Sequence, residues 1–321
     1  MNRKNWLWIL ILFLAGFIFC LPELIPGQAP FLRDPGNEII PKRAFWANDS
    51  GFVLWDAYGF FGHPFAANPQ SGAFYFLNSL FLLFPAVSVL GWYIFIHLLI
   101  FLLFSYLSFK ELDFEEETAL AMSIALGFGG FFSSLSLLIV LLSTATWTSV
   151  ELFFLLKARK GRWLLNSLLA GLVFAIQILA GEMELAGLGF LLIIATILIH
   201  RPHAGARGEI WKSVFAILFA WGFGIILSSF QWLLTYEMLG LSNRASGIIQ
   251  KQAEVWSLVP IRLKEFFLAN YFIKPQGTEF WGLGFFTGFH YLFSIYLGLS
   301  VVLLSVLSLW LRRVKFLCWL L

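Results

Sequence analysis

The chain has 321 residues, of which 60% are hydrophobic and 12% are charged, and its formal net charge is +3. This composition, with a mean hydropathy of +0.84, excludes a soluble domain with a polar surface and predicts an integral membrane protein. Because the small positive charge is scattered over loops, we predict no nucleic-acid partner.

Apolar runs that could cross a membrane begin near the N-terminus and recur along the chain. Since a spanning helix needs about 20 apolar residues, we predict about eight spans, at roughly 5–25, 87–109, 118–136, 138–156, 163–180, 185–199, 211–235 and 290–311. The first run has no small-residue cleavage site after it, so we interpret it as an uncleaved anchor. The predicted fold class is an all-α, polytopic transmembrane helix bundle.

Basic residues in the short loops predict the orientation of the bundle. The clusters at 157–162, 201–212 and 312–315 belong on the cytoplasmic side, which places the N-terminus there as well. With this parity, residues 72–85 do not cross the bilayer and form a re-entrant or interfacial helix capped by Pro85. Two large loops, 22–71 and 236–289, and the tight turn at 181–184 then face the outside.

Acidic and basic residues are concentrated in the first outside loop, which contains FLRDPGNEIIPKRAFW and, further on, Asp49 and Asp56. Asp34 precedes Pro35 and Gly36, so its side chain could cap a turn. Alternatively, its carboxylate could take the proton from an attacking hydroxyl group. The residues alone leave both roles open.

The stretch from Phe52 to Leu83 reads FVLWDAYGFFGHPFAANPQSGAFYFLNSLFLL. It mixes turn formers, amides and aromatics where a plain spanning helix needs bulk hydrophobes. We predict a structural loop motif made of Trp55, Gly62, Pro64, Asn68, Pro69, Gln70 and Tyr75. Because amides are costly in lipid without partners, the ANPQ segment should be buried at the outer interface.

Further candidate residues lie in the turn at 181–184 and in the last outside loop. Glu182 and Glu184 interrupt two apolar helices, so they either mark a second acidic site or end the hairpin at the headgroup level. Three basic residues could bind a phosphate or, without specificity, lipid headgroups: Arg244, Arg262 and Lys264.

Two ionisable residues, His97 and Glu151, lie inside apolar runs. An ionisable group at such a position is a functional candidate by default, but neither residue has an evident partner in the sequence. Hydrogen bonds within the bundle would explain them equally well.

The stretch from Phe52 to Leu83 resembles the loop after the first membrane helix of bacterial YfhO-like proteins, which belong to the GT-C superfamily of polytopic glycosyltransferases. The segments SSFQWLLTYEMLGLSNRASG and LVPIRLKEFFLANYF are similar to the family pattern after its seventh helix. The turn with Glu182 departs from that pattern, which often has a Gly-His-Pro-like sequence there. The resemblance implies a single GT-C-like domain over residues 1–321, incomplete at its C-terminal end, in the bacterial cytoplasmic membrane.

The resemblance also implies an activity. It is transfer of a sugar from a polyprenyl-phosphate donor to a glycan, lipid or protein acceptor on the outer face, with Asp34 as the catalytic base. Arg244, Arg262 and Lys264 would bind the donor phosphate. The alternative is non-catalytic binding or translocation of a lipid-linked glycan, which needs no Asp34. We predict no cofactor and no metal ligand, although the residues leave a divalent metal open.

The predicted topology can be tested by cysteine-accessibility labelling. Single cysteines at positions 34, 182 and 244 should react with an impermeant reagent from one side of the membrane. Cysteines at positions 159 and 207 should react from the other side. Labelling of positions 34 and 159 from the same side would contradict the proposed location of the site.

Overall fold

A computed structural model describes residues 3–30, 34–48, 53–199, 207–247, 257–269 and 292–311, together with Gln250 and Glu254. The regular secondary structure of these residues is helical, with no β-strand among them. The α-helices are α1 (Arg3–Leu24), α2 (Ile40–Asn48), α3 (Leu80–Leu83), α4 (Ala86–Glu111), α5 (Glu116–Gly127), α6 (Gly130–Leu135), α7 (Ile139–Lys160), α8 (Trp163–Ala180), α9 (Met183–Ile199), α10 (Arg207–Leu227), α11 (Ser229–Gly240) and α12 (Leu299–Leu311). A π-helical turn, Pro35–Ile39, precedes α2, and 3₁₀ turns occupy Gly59–Phe61, Pro69–Ser71, Phe76–Ser79, Asn243–Ser246 and Pro260–Phe266.

Within the described residues, four helices are long and apolar enough to cross a membrane: α1, α4, α7 and α8. The bent pair α10 and α11 makes a fifth candidate, and α9 is a shorter apolar helix. This supports the prediction of a helical membrane protein, with four to five candidate spans where the sequence predicted about eight. Residues 290 and 291 of the last predicted span lie outside the described residues.

Two predicted spans differ in the structure for local reasons. The predicted span 118–136 is divided into α5 and α6 at a glycine-rich break, Gly127 to Gly130, since glycine is a poor helix former. The predicted span 211–235 bends by 68° between α10 and α11. Ser228 lies at this bend, and its hydroxyl donates to the Gly224 carbonyl at 2.8 Å. A serine bonded back into the helix ladder is a common cause of helix bending.

The chain forms two compact units, Met1–Ser123 with Ser136–Ser242, and Ile124–Leu135 with Asn243–Leu321. In the first unit, α1 packs on α4, α4 on α7, α7 on α8, and α8 on α10. Gly171 and Gly224 allow α8 and α10 to approach closely. A β-carbon on Gly171 would lie 2.5 Å from the Ala220 carbonyl oxygen, and one on Gly224 would lie 2.6 Å from the Gly171 carbonyl oxygen. Small residues at helix crossings are typical of membrane bundles.

Polar contacts distinguish the two ends of the α7–α8 hairpin. At one end, which we call the basic end, Lys160 forms ion pairs with Glu111 at 3.4 Å and with Asp113 at 3.0 Å. At the other end, Gly181 lies against the backbone of Pro69 and Gln70. We call this the loop end, because it carries the non-helical segment 53–79.

Residues 72–85 do not form a helix long enough to span a membrane. The 3₁₀ turn Phe76–Ser79 leads into the single turn α3, which ends at Leu83, and Pro85 caps the start of α4. Asn78 holds this segment inward, because its side-chain amide donates to the Gly72 carbonyl at 2.7 Å and its side-chain oxygen accepts from the Tyr93 hydroxyl at 3.0 Å.

A buried chain of hydrogen bonds attaches Tyr75 to the helices behind it. His97 Nδ1 lies 2.7 Å from the carbonyl oxygen of Tyr93, so this nitrogen is the donor and Nε2 is the acceptor. The Tyr75 hydroxyl donates to His97 Nε2 at 2.7 Å and accepts from Trp147 Nε1 at 2.7 Å. Burial raises the pKa of the Tyr75 phenol well above its usual value, which keeps the donating proton in place.

We predict that Tyr75→Phe destabilises the protein. The change leaves the ring nitrogens of His97 and Trp147 buried without their partner, which costs about 2 to 4 kcal/mol in total. Thermal unfolding of the purified protein in detergent should show a lower midpoint. The matched control is Tyr58→Phe, which removes the same hydroxyl from a side chain that is 86% exposed. Equal midpoints for the two variants would contradict the importance of this network.

Candidate functional site

The segment 53–79 at the loop end is held by side chains from several helices. Gln231 on α11 donates its amide to the Ala66 carbonyl at 3.1 Å, and the Thr235 hydroxyl donates to the Ala67 carbonyl at 2.9 Å. Arg43 on α2 donates to the carbonyl of Ser71. These bonds satisfy backbone carbonyls that have no helical partner, so the segment has a fixed conformation.

Arg43 is a buried cation, with only 3% of its surface exposed. Its guanidinium lies 5.7 Å from the ring centre of Phe81, a cation–π distance. Burial lowers the pKa of this guanidinium from its usual value, whereas Tyr93 and Glu38 act in the opposite direction. Arg43 thus joins α2 to Ser71 by a hydrogen bond and to Phe81 of the 72–85 segment by a ring contact.

A tight loop between Asp56 and His63 forms the next part of the site. The two residues exchange both backbone hydrogen bonds, each at 2.9 Å, as an isolated antiparallel bridge. Asp56 Oδ1 accepts the backbone N–H groups of Tyr58 and Gly59 at 2.8 and 2.9 Å, and Oδ2 lies 3.8 Å from His63 Nδ1. The Asp56 carboxylate is therefore fixed by the loop that it closes.

A cavity of about 810 Å³ lies between this loop and the first turns after Asp34. Its volume is in the range of small-molecule sites in proteins. The lining residues are Asn37, Glu38, Pro41, Lys42, Phe45, Asn48, Asp56, Tyr58, Gly59 and His63. Glu38 and Lys42 form an ion pair one helical turn apart. The cavity thus combines two carboxylates, an ammonium group, an imidazole and two aromatic rings, a set that can bind a polar ligand such as a sugar.

Asp34 is half-buried and directly precedes the π-helical turn Pro35–Ile39. Its side chain makes no capping hydrogen bond to that turn. The turn-capping role, one of the two roles that the sequence left open for Asp34, is therefore not observed. The cavity lining begins at Asn37, within the turn that follows Asp34. Asp49, another acidic residue of this loop, lies outside the described residues.

The predicted burial of the ANPQ segment is only partial, because residues 67–69 are half-buried and Gln70 is exposed, but the segment contacts the turn between α8 and α9. Asn68 caps the 3₁₀ turn Pro69–Ser71 by accepting from the Gln70 backbone N–H. The Gln70 side chain donates to Glu182 Oε1 at 2.7 Å. Glu182 is half-buried in this contact, whereas Glu184 is exposed in the first turn of α9. The two carboxylates of the predicted second acidic site therefore differ in exposure, and Gln70 donates to the first of them.

Three other members of the predicted loop motif lie beside the Asp56 loop. Trp55 is 57% exposed. Its indole covers Gly62, whose φ is +103° and where an added β-carbon would lie 3.0 Å from the ring. Pro64 is half-buried and follows His63 into the buried Phe65. The cavity itself is lined on this side by Asp56, Tyr58, Gly59 and His63, so these three motif residues belong to or adjoin the loop without lining the cavity.

The basic residues of the second unit differ in their surroundings. Arg262 is 6% exposed, and its Nη2 donates to Glu265 at 2.6 Å and to the Leu292 carbonyl at 2.9 Å. A guanidinium held in this way stabilises the unit from within. Arg244 and Lys264 are exposed on the 3₁₀ turns Asn243–Ser246 and Pro260–Phe266.

Sequence reasoning did not assign the cavity residues Glu38, Lys42 and His63 to a site. The i, i+4 spacing of Glu38 and Lys42 was a visible signal for an ion pair on one helix face. The pairing of Asp56 with His63 depends on the turn between them, which the sequence indicates only by its glycines. No group of three or more His, Cys, Asp or Glu side chains suited to a metal occurs in the described part of the chain.

Comparison of the chain with protein-family models, with curated proteins and with solved structures finds no match.

We predict that Gly181→Ala disrupts the contact between the α8–α9 turn and the ANPQ segment. Gly181 has φ +121°, and an added β-carbon would lie 2.6 Å from the Pro69 carbonyl oxygen. The strain and the clash together should cost about 1 to 3 kcal/mol. Limited proteolysis should then cleave within residues 53–79 faster than in the wild type.

The matched control for this experiment is Gly187→Ala, also near the start of α9. An added β-carbon there meets nothing within 4 Å, and alanine favours a helix by up to about 1 kcal/mol. If Gly181→Ala and Gly187→Ala are cleaved at the same rate, the proposed contact does not hold the loop.

Proposed function

We propose that this protein is a GT-C-type membrane glycosyltransferase of the YfhO-like kind. It transfers a sugar from a polyprenyl-phosphate donor to an acceptor on the outer face of the bacterial cytoplasmic membrane. The observation that carries the proposal is the cavity with two carboxylates at the loop end of a bundle of apolar helices. The proposal includes about eight crossings, with the N-terminus in the cytoplasm and the loop end outside.

The chemistry of transfer requires three features. An acceptor hydroxyl loses its proton to a carboxylate as its oxygen bonds to the anomeric carbon, while the bond from that carbon to the phosphate oxygen breaks. The polyprenyl phosphate leaves with the bonding electrons, so a cation near its oxygens lowers the barrier. The isoprenoid chain needs an apolar surface, which the outward faces of the helices provide.

We assign Asp34 the role of general base. It directly precedes the π-helical turn Pro35–Ile39, whose residues Asn37 and Glu38 line the cavity. Glu38 is the second candidate, since it lines the cavity, but its carboxylate is already paired with Lys42. Asp56 holds two backbone N–H groups and is better suited to shaping the loop than to accepting a proton.

The donor phosphate is assigned to Arg244 and Lys264, with Arg262 in a supporting role. Arg244 and Lys264 are exposed and able to reach a headgroup, and a guanidinium can bind a phosphate through two parallel hydrogen bonds. Arg262 already donates to Glu265, so its contribution to phosphate binding would require that pair to open.

A second candidate function is binding or translocation of a lipid-linked glycan without chemistry. The pairing of Glu38 with Lys42, and of Asp56 with its own loop, favours it, because carboxylates that are already satisfied can bind sugar hydroxyls but are weak bases. The two functions differ in their dependence on Asp34.

We predict that Asp34→Asn lowers sugar transfer by roughly two to four orders of magnitude while donor binding persists. Asparagine keeps the size of the side chain and much of its hydrogen bonding but cannot accept the proton. The assay is transfer from polyprenyl-phosphate hexoses by the full-length protein in proteoliposomes. The control is Asp113→Asn, the same change at the basic end of the bundle. Near-normal turnover of Asp34→Asn would exclude Asp34 as the base, and Glu38→Gln would then be tested.

We predict that Arg244→Ala weakens binding of polyprenyl phosphate about ten- to a hundredfold, because a charge-assisted hydrogen bond contributes about 1.5 to 3 kcal/mol. The bound amount is measured with the labelled lipid in nanodiscs. Lys212→Ala, which removes an exposed cation from the start of α10, should leave binding unchanged. An equal loss in both variants would indicate general attraction to the lipid and not a site at Arg244.

A further inference from the structure

Glu151 is an ionisable residue deep inside a candidate span. At 1.5 Å per residue, it lies about 18 Å from the first residue of α7 and about 14 Å from the last. It is 0% exposed. An ionised carboxylate at such a depth is expensive unless a cation or several donors compensate it.

The structure gives Glu151 the partner that the sequence did not reveal. Gln177 on α8 donates its side-chain amide to Glu151 Oε2 at 2.8 Å. Both side chains are 0% exposed. Within the described part of the chain, the second oxygen of each, Glu151 Oε1 and Gln177 Oε1, is buried without a hydrogen-bond partner. The two bonded side chains thus carry two acceptors with no donor for either.

The elements packed against α7 bring no compensating cation to this depth in the described residues. α8 contains no ionisable side chain, and the one acidic residue of α9, Glu184, is exposed in its first turn. On α10, Lys212 is exposed near the start of the helix. The ionisable residues of α4 are Tyr93, His97, Tyr106, Lys110 and Glu111.

None of these α4 residues acts as a counter-ion for Glu151. Lys110 and Glu111 are in the last turn of α4, at the basic end. His97 is bonded through one ring nitrogen to the Tyr93 carbonyl and through the other to the Tyr75 hydroxyl. The environment of Glu151 is therefore neutral.

We propose that Glu151 and Gln177 form a proton-binding site within the membrane span. In this site Glu151 Oε1 is protonated, and its O–H donates a hydrogen bond to Gln177 Oε1. A carboxylic acid and a primary amide are complementary, since the N–H donates to one acid oxygen and the acid O–H donates to the amide oxygen. One proton satisfies both unpaired acceptors. The terminal torsions of Glu and Gln are broad, so the two groups can face each other without strain.

This site goes beyond sugar transfer and does not depend on it. Loss of the proton leaves a carboxylate with a single neutral donor in an apolar bundle, so release requires water to reach the pair or the α7–α8 contact to open. The protonation state of Glu151 therefore reports access from the membrane surfaces to the middle of the bundle.

Infrared difference spectroscopy of the full-length protein in bilayers tests the proposal. At about pH 7 an ordinary glutamate, with a pKa of about 4.3, is ionised. The wild-type spectrum minus that of E151Q should nevertheless contain a carboxylic-acid carbonyl band. The control, Glu184→Gln, should instead remove carboxylate bands. Carboxylate bands in the E151Q difference spectrum would overturn the proposal.

A second variant, Gln177→Leu, tests the pairing of Glu151 with Gln177. This test remains valid even if E151Q does not fold. Gln177→Leu removes the amide and keeps Glu151. The acid carbonyl band should move to higher frequency because the hydrogen bond from Gln177 is lost. An unchanged frequency, or no acid band in either spectrum, would overturn the assignment of the proton to this pair.

Discussion

The structure of the first unit depends on satisfying the backbone of a non-helical segment that lies against apolar helices. A carbonyl or N–H group that is shielded from water and has no helical partner costs free energy unless a side chain replaces that partner. In segment 53–79, Gln231 of α11 donates to the Ala66 carbonyl and Arg43 of α2 donates to the Ser71 carbonyl, while Asn78 of the segment itself donates to the Gly72 carbonyl. Each donor is itself buried, so its own alternatives are few.

This requirement explains the position of the candidate site. Once carbonyls of the segment are held by Arg43 of α2 and by Gln231 and Thr235 of α11, the Asp56 loop lies beside α2 and the turn that precedes it. The cavity forms between them, with Glu38 and Lys42 on one side and Asp56 and His63 on the other. A site built in this way has a rigid floor and polar walls at the end of the bundle.

The sequence predicted the kind of protein and most of the strongest helices, because apolar content and helix length are local properties. The runs at α1, α4, α7 and α8 were long, and no glycine cluster interrupts them. The predicted spans were less accurate where a helix breaks or bends within an apolar run. This happens at the glycines after α5 and at Ser228. Asn68, Gln70 and Tyr75 were recognised as unusual because amides and a phenol are costly in lipid. Their partners, Glu182 and His97, could not be identified, since each lies far away in the chain.

The sequence by itself determined that this protein belongs in a membrane, that it is helical, and that it contains a polar segment that ordinary lipid contact cannot explain. These follow from composition and spacing, which do not depend on the rest of the fold. The tertiary structure decided which polar groups meet. It paired Glu151 with Gln177, brought Arg262 to the Leu292 carbonyl, and placed Glu38 and Lys42 beside the Asp56 loop. The physical reason is that a buried polar group takes its role from the one or two partners within hydrogen-bond reach, and only the packing of distant helices brings those partners together.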